Sequence, residues 1–243
     1  MKTQNTDNRY DVLVFDFDNT LFDYELTECQ ALKEVFNKIG YEFKPEFHSV
    51  FKLINRELWE KSESFNSFDK FELRIKRFSL FFAKLGYNVD AGFIEYVSDL
   101  FVRQSRHGVL IDGVYSTLCS LKKRGIVIAV ASSGLSDPRI YKLKNSSIAE
   151  LVDYSLFRED FPDGCIKPNT GFYIEIAERH PDVTLNRILY IGDNFECDVK
   201  APKMAGLSNV WFNYFNVDES SVEMQYCDSV IYEFSELLKI VLR

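Results

Sequence analysis

Val12-Leu13-Val14-Phe15, followed at once by Asp16-Phe17-Asp18-Asn19-Thr20-Leu21-Phe22-Asp23, is the stretch on which the fold turns. Four consecutive apolar residues read as a short strand covered on both faces, because a half-exposed strand would alternate. Two similar runs follow, Ile126 to Ala131 behind Gly125, and Ile188-Leu189-Tyr190-Ile191. Val210-Trp211-Phe212 and Ser229-Val230-Ile231 are weaker strand candidates. Helical patterns lie between these runs. Asp112 to Arg124 places Val114, Leu118 and Leu121 on one face. Asn169 can cap a helix through Arg179, and Glu233 to Leu242 reads as a terminal helix. Strands alternating with helices predict a doubly wound α/β fold with a parallel, Rossmann-like sheet.

The interval from Tyr24 to Arg106 breaks this rhythm. It holds no convincing strand. Phe68, Phe71, Ile75, Phe78, Phe82 and Leu85 recur at helical spacing before Gly86, and Leu32, Val35, Phe36 and Ile39 do so before Gly40. Such stripes mark helices packed on one another. The expected organisation is an α/β core from residues 1–23 and 107–243, carrying an inserted all-helical domain from 24–106.

Composition narrows the function classes. The chain has 243 residues, 46% of them hydrophobic, enough to bury a sizeable core. Its net charge of -8, with no block of Lys and Arg, argues against a nucleic-acid polymer as partner. No run approaches the roughly 20 apolar residues a membrane helix needs. The polar start from Met1 to Asp11 lacks a secretory signal, and five scattered cysteines read as free thiols. Together these predict a cytoplasmic protein.

In an open parallel sheet, ligands collect beyond the carboxyl ends of the strands. The first strand runs into Asp16 and Asp18, the second into Ser132-Ser133-Gly134, and the third into Gly192-Asp193-Asn194-Phe195-Glu196-Cys197-Asp198. Neighbouring buried carboxylates repel, and a divalent cation or a shared proton relieves that conflict. Hard oxygen donors without His or Cys suit magnesium. Lys167 precedes Pro168, which biases it toward an extended conformation from which its cation can reach inward to a phosphate oxygen. Taken singly, each of these short motifs is ordinary loop chemistry. Their common order, each behind a strand or ahead of a helix, gives them weight.

With these residues in view, the sequence resembles the haloacid dehalogenase superfamily of phosphohydrolases. The resemblance covers Val12 to about Phe212. It rests on D-F-D-N-T-L-F-D at Asp16 to Asp23, A-S-S-G at Ala131 to Gly134, G-C-I-K-P at Gly164 to Pro168 and G-D-N-F-E-C-D at Gly192 to Asp198. The helical insert resembles this family's cap.

The resemblance implies a nucleophile at Asp16 and an aspartyl-phosphate intermediate. It makes Asp18 the general acid and base. It implies magnesium held by Asp16, the Asp18 carbonyl and Asp193, with Asp198 supporting the metal shell. It assigns phosphate binding to Ser132, Ser133 and Lys167. An acid at Asp18 favours phosphate-ester hydrolysis, since dehalogenase and phosphonate-cleaving members lack it. The implied substrate is a small phosphorylated metabolite. A phosphomutase or other phosphoryl-transfer enzyme needs the same pair and stays open as an alternative. A non-catalytic binding module would need a lost group, and none is lost. Asn55-Arg56-Glu57-Leu58-Trp59, Gly206-Leu207 and Trp211-Phe212-Asn213 are similar to the pyrimidine 5'-nucleotidase branch, whose substrates are nucleoside monophosphates. Asn55 and Trp59 are the substrate candidates of the insert, although a helix-end bond for Asn55 and simple packing for Trp59 are the readier readings. Ser133 departs from the Asn that many relatives carry.

Overall fold

The computed structural model describes residues 8–63, 70–134 and 136–242, with backbone only at 59–63, 70 and 137. In chain order the strands are β1 (Val12–Phe15), β2 (Phe22–Asp23), β3 (Val109–Leu110), β4 (Val127–Ala131), β5 (Tyr154–Leu156), β6 (Ile188–Gly192), β7 (Ser208–Phe212) and β8 (Val230–Ile231). The helices are α1 (Tyr24–Ile39), α2 (Pro45–Glu63), α3 (Lys70–Lys84), α4 (Ala91–Gln104), α5 (Val114–Lys123), α6 (Ser136–Lys144), α7 (Thr170–Glu178), α8 (Ala201–Met204) and α9 (Leu237–Val241). Six strands form one parallel sheet in the order β5-β4-β1-β6-β7-β8.

Burial of both sheet faces follows from the apolar runs. Along β1, Leu13 and Phe15 join one core cluster with Val114, Leu118 and Leu121 of α5 and Leu237 of α9. Val12 and Val14 point the other way, into a cluster with Phe172, Tyr173 and Ile176 of α7 and Ala201 of α8. The two-residue period of a strand thus sends alternate side chains into two separate cores. The chain builds β4 and β5 on one side of β1 and β6, β7 and β8 on the other. The sheet's switch point therefore lies at β1, where a crevice opens between the following loops.

The chain divides into two compact units, Glu25–His107 and the remainder. Within the helical unit, Leu32, Val35, Phe36, Phe51, Phe78, Phe81 and Phe82 are buried together. The expected stripe on α3 is only partly realised. Phe78 and Phe82 are buried, but Phe71, in the first turn, is 52% exposed and outside that core, while Phe81 enters it instead. Four α-helical stripes converge from several directions here, so a wider arc of α3 is covered than one narrow seam. Phe68 lies outside the described residues. In the other unit, β2 and β3 pair antiparallel, Phe22 opposite Leu110 and Asp23 opposite Val109, which joins the chain just before the insert to the chain just after it.

Phe36 stacks on Phe82 and meets Phe81 and Phe43 edge-on. Phe36→Ala should therefore destabilise the helical unit by about 3–5 kcal/mol. Chemical denaturation would register this as a lowered midpoint, and an unchanged midpoint would show that the ring is dispensable.

Candidate active site

Asp16 stands where β1 ends, and its backbone N–H still donates to the Ile191 carbonyl of β6 at 2.8 Å. The loop behind it is tightly wound. Leu21 and Phe22 N–H both donate to the Phe17 carbonyl at 3.1 Å. Asn19 takes a positive φ of 60°, which Asn tolerates better than most residues, and its Oδ1 accepts from the Tyr24 N–H at 3.1 Å. Asp16 is thereby fixed at the end of a strand, not carried on a free loop.

Asp198 is brought to the same point by a π-helical turn, Phe195–Lys200, a shape that recurs at functional sites. Its Oδ2 accepts from the Asn194 N–H at 3.0 Å, and Asn194 Oδ1 accepts from the Cys197 N–H at 3.0 Å. Gly192 is required beneath it, because a Cβ there would overlap the Asp198 carboxylate. Asp193 is steadied from β7, where the Trp211 indole Nε1–H donates to the Asp193 carbonyl at 2.9 Å.

Lys167 enters from the loop before α7 through a cis peptide bond to Pro168. Its Nζ lies 2.5 Å from Asp16 Oδ1 and 2.7 Å from Asp198 Oδ1. The rings of Tyr190 and Phe172 flank the ammonium, at 5.0 and 5.7 Å from their centroids. Burial works against the charged lysine, but Asp16 and Asp198 outweigh it and hold the ammonium well above its ordinary value. Ser132 is buried, with Oγ accepting from the Gly134 N–H at 3.2 Å. Ser133 Oγ accepts from the Lys167 backbone N–H at 2.8 Å, so this serine fastens one loop of the site to another.

The carboxylate oxygens of Asp16, Asp193 and Asp198 come within 4.8 Å of one another. Burial, with the neighbouring carboxylates helping, pushes Asp193 up to about 8. Burial also lifts Asp16 to about 6, although Lys167 pulls it down. Three hard oxygen donors, two of them resisting ionisation, fit a divalent cation such as magnesium, which would take up the charge that burial penalises.

Asp18 does not join that trio. Its Oδ2 accepts from Arg139 Nη2, and Lys142 Nζ is 3.8 Å from its Oδ1. Both cations project from α6. Sequence reasoning missed both, since α6 carries no recognisable motif, and it missed the bond from Trp211 to Asp193 although Trp211 stands in the Trp211-Phe212-Asn213 stretch. Gly134 was the available signal for Arg139, because a Cβ there would overlap the guanidinium. Asn55 belongs to the helical unit, where its Oδ1 accepts from Arg77 Nη1 at 3.1 Å. The side chain of Trp59 lies outside the described residues.

A parallel sheet with this loop chemistry defines a class of α/β hydrolase, and comparison with known proteins supplies the family. The model of the haloacid dehalogenase-like hydrolases matches residues 13–212, and the chain belongs to that family. It is similar to YfnB of Bacillus subtilis, named as a HAD-hydrolase, with 27% identity over 84% of this chain and 85% of that one. A crystal structure of YfnB bound to magnesium superposes with a TM-score of 0.78 at 26% identity, covering 96% of this chain and 98% of that one. The pyrimidine 5'-nucleotidases PynA of Streptococcus pneumoniae and YjjG of Escherichia coli are 24% and 22% identical. Those matches cover 94% of this chain and 94% of PynA, and 95% of this chain and 98% of YjjG. No described helix is long and apolar enough to cross a membrane.

The raised carboxyls carry a pH signature. An unfolded Asp titrates near 3.8, so above that value the folded chain retains protons that the unfolded chain has released. That contribution to stability is complete below 3.8 and is lost as pH rises through about 6 for Asp16 and about 8 for Asp193. A divalent cation needs the ionised forms. Added magnesium should therefore raise the thermal midpoint more at about pH 8 than at about pH 6. Equal increments at both, measured by differential scanning fluorimetry, would separate the cation from these carboxyls.

Proposed function

We propose that the protein is a magnesium-dependent phosphatase that hydrolyses small phosphate monoesters through an aspartyl-phosphate on Asp16. The observation that carries this reading is the placement of Asp16 against Lys167, at the switch point of the sheet, with Asp18 held apart from the carboxylate trio. Asp16 attacks phosphorus with a carboxylate oxygen, and the ester bond to the leaving oxygen breaks. Asp18 gives its proton to that oxygen, then accepts one from the water that cleaves the acyl phosphate. Lys167 holds a phosphoryl oxygen, joined by the Ser132 hydroxyl. Ser133 serves by keeping the Lys167 loop in register. Asp16, Asp193 and the Asp18 carbonyl would hold magnesium, with Asp198 in support. When bound, it supplies positive charge against the phosphoryl oxygens. Most of the rate enhancement is positioning and charge stabilisation.

The helical insert, residues 24–106, serves as the cap that shapes substrate choice. Within small phosphate esters, the reading favours nucleoside 5'-monophosphates with pyrimidine bases. Similarity to PynA and YjjG over nearly the whole chain, insert included, supports it.

Asp16→Asn should lower turnover by about a thousandfold or more, because the amide is of like shape and a poor nucleophile. Circular dichroism should stay unchanged, and normal turnover in this variant would remove Asp16 from the reaction. Phosphate release across nucleoside monophosphates, sugar phosphates and an aryl phosphate tests the substrate class. Magnesium-dependent release that is fastest with pyrimidine nucleotides is expected. Indifference to the base would take the nucleotidase assignment away and leave the phosphatase.

A further inference from the structure

Asp18 is anchored by one oxygen only. Oδ2 accepts a hydrogen bond from Arg139 Nη2. Oδ1 is buried and has no hydrogen-bond partner among the described residues, the Lys142 ammonium at 3.8 Å being too distant for one. The carboxyl group is therefore pinned at Oδ2, with Oδ1 enclosed by the protein.

We propose that Arg139 is a positioning residue for the general acid, holding the Asp18 carboxyl group by Oδ2 in a single orientation for proton transfer to the leaving group. The inference rests on the phosphatase reading given above. A carboxyl group that donates a proton must present one oxygen to the departing one, and hydrogen-bond geometry tolerates little error. An untethered Asp spreads over several rotamers, most of them unproductive. A guanidinium bonded to Oδ2 removes that freedom. In the reaction, the O–H bond of the Asp18 carboxyl group breaks as the P–O ester bond breaks. The electron pair of the ester bond stays on the leaving oxygen, which takes the proton and departs as an alcohol. Asp18 is left as a carboxylate still bonded to Arg139, and is ready to take a proton from the incoming water.

Two features of the chain favour this role over an incidental ion pair. Arg139 and Asp18 are both mostly shielded, with side chains 20% and 18% exposed. The guanidinium also lies against Gly134, where an added Cβ would displace it, which places Arg139 beside the same loop that carries Ser132 and Ser133. Its hydrogen bond to Asp18 spans 121 positions of sequence, joining the loop after β1 to the helix after β4.

Leaving groups of different basicity separate this role from a structural one. An alkyl phosphate such as glycerol phosphate needs a proton on the departing oxygen. The aryl ester para-nitrophenyl phosphate releases a stable phenolate and needs much less help. Arg139→Gln should lower kcat/KM, which reports the step in which the leaving group departs, about tenfold more for the alkyl ester than for the aryl ester, a fraction of the gain a positioned acid provides. Arg139→Lys, which keeps the charge with one donor group, should fall between. Asp18→Asn should show the same selectivity more strongly, and combining it with Arg139→Gln should add no further loss on the alkyl ester.

Circular dichroism and the thermal midpoint report whether each variant folds. Equal loss on both esters, no loss, or an additive loss in the double variant would overturn the positioning role and leave the phosphatase reading intact. Failure of the unaltered protein to release phosphate from either ester would remove that reading, and this inference with it.

Discussion

A buried lysine between two aspartates organises the site. Lys167 Nζ sits within hydrogen-bonding distance of both Asp16 and Asp198, in a pocket walled by Tyr190 and Phe172. Carboxylates gathered out of water repel one another, and burial penalises each of them again. One ammonium between two carboxylates offsets part of that cost and leaves the rest for a divalent cation. The arrangement requires three chain segments to meet, the end of β1, the turn after β6 and the loop before α7. Only a sheet whose connections diverge at β1 places those three ends together.

Three residues of the site are held by groups from elsewhere in the chain. Trp211 on β7 fixes the Asp193 backbone, Ser133 after β4 fixes that of Lys167, and Arg139 on α6 fixes the Asp18 side chain. Gly192 and Gly134 contribute by having no side chain, since each leaves space that Asp198 or Arg139 occupies. Positioning by cross-links among loops costs less reorganisation at the moment of reaction than positioning by the loops themselves. It also explains why short, polar loops can act as a rigid frame. Their backbone groups are committed to partners already, so little of the conformational cost of ordering remains to be met when a ligand arrives.

The sequence reveals what is periodic or contiguous. The runs beginning at Val12, Ile126 and Ile188 become β1, β4 and β6, and the loops behind them carry Asp16, Ser132 and Asp193. The weaker candidates near Val210 and Val230 also form strands. Tyr154–Leu156 passes unnoticed because an edge strand of three residues, two of them only partly buried, has no apolar run to announce it. Phe71 reads as core and is largely exposed, because periodicity assigns a face and not the point along a helix where its neighbours stop. The contacts of Arg139 and Trp211 are invisible for another reason. Their partners, Asp18 and Asp193, are distant in sequence, and a single long-range hydrogen bond leaves no local pattern.

The four carboxylates of the site have two different sets of partners. Asp16, Asp193 and Asp198 share one lysine and crowd together, so they demand further positive charge. Asp18 lies between two cations of α6 and is not part of that demand. The proposed chemistry asks for two separately held carboxyl groups, one to attack phosphorus and one to move a proton. Residues two positions apart on one strand end would ordinarily share their partners. The turn from Phe17 to Phe22, and the reach of Arg139 across from α6, give Asp18 a hydrogen-bond partner that Asp16 does not have, while its charge still acts on Asp16. The pair Asp16 and Asp18 can then be adjacent in sequence and distinct in chemistry, which is the condition for one short loop to supply both the attacking group and the proton.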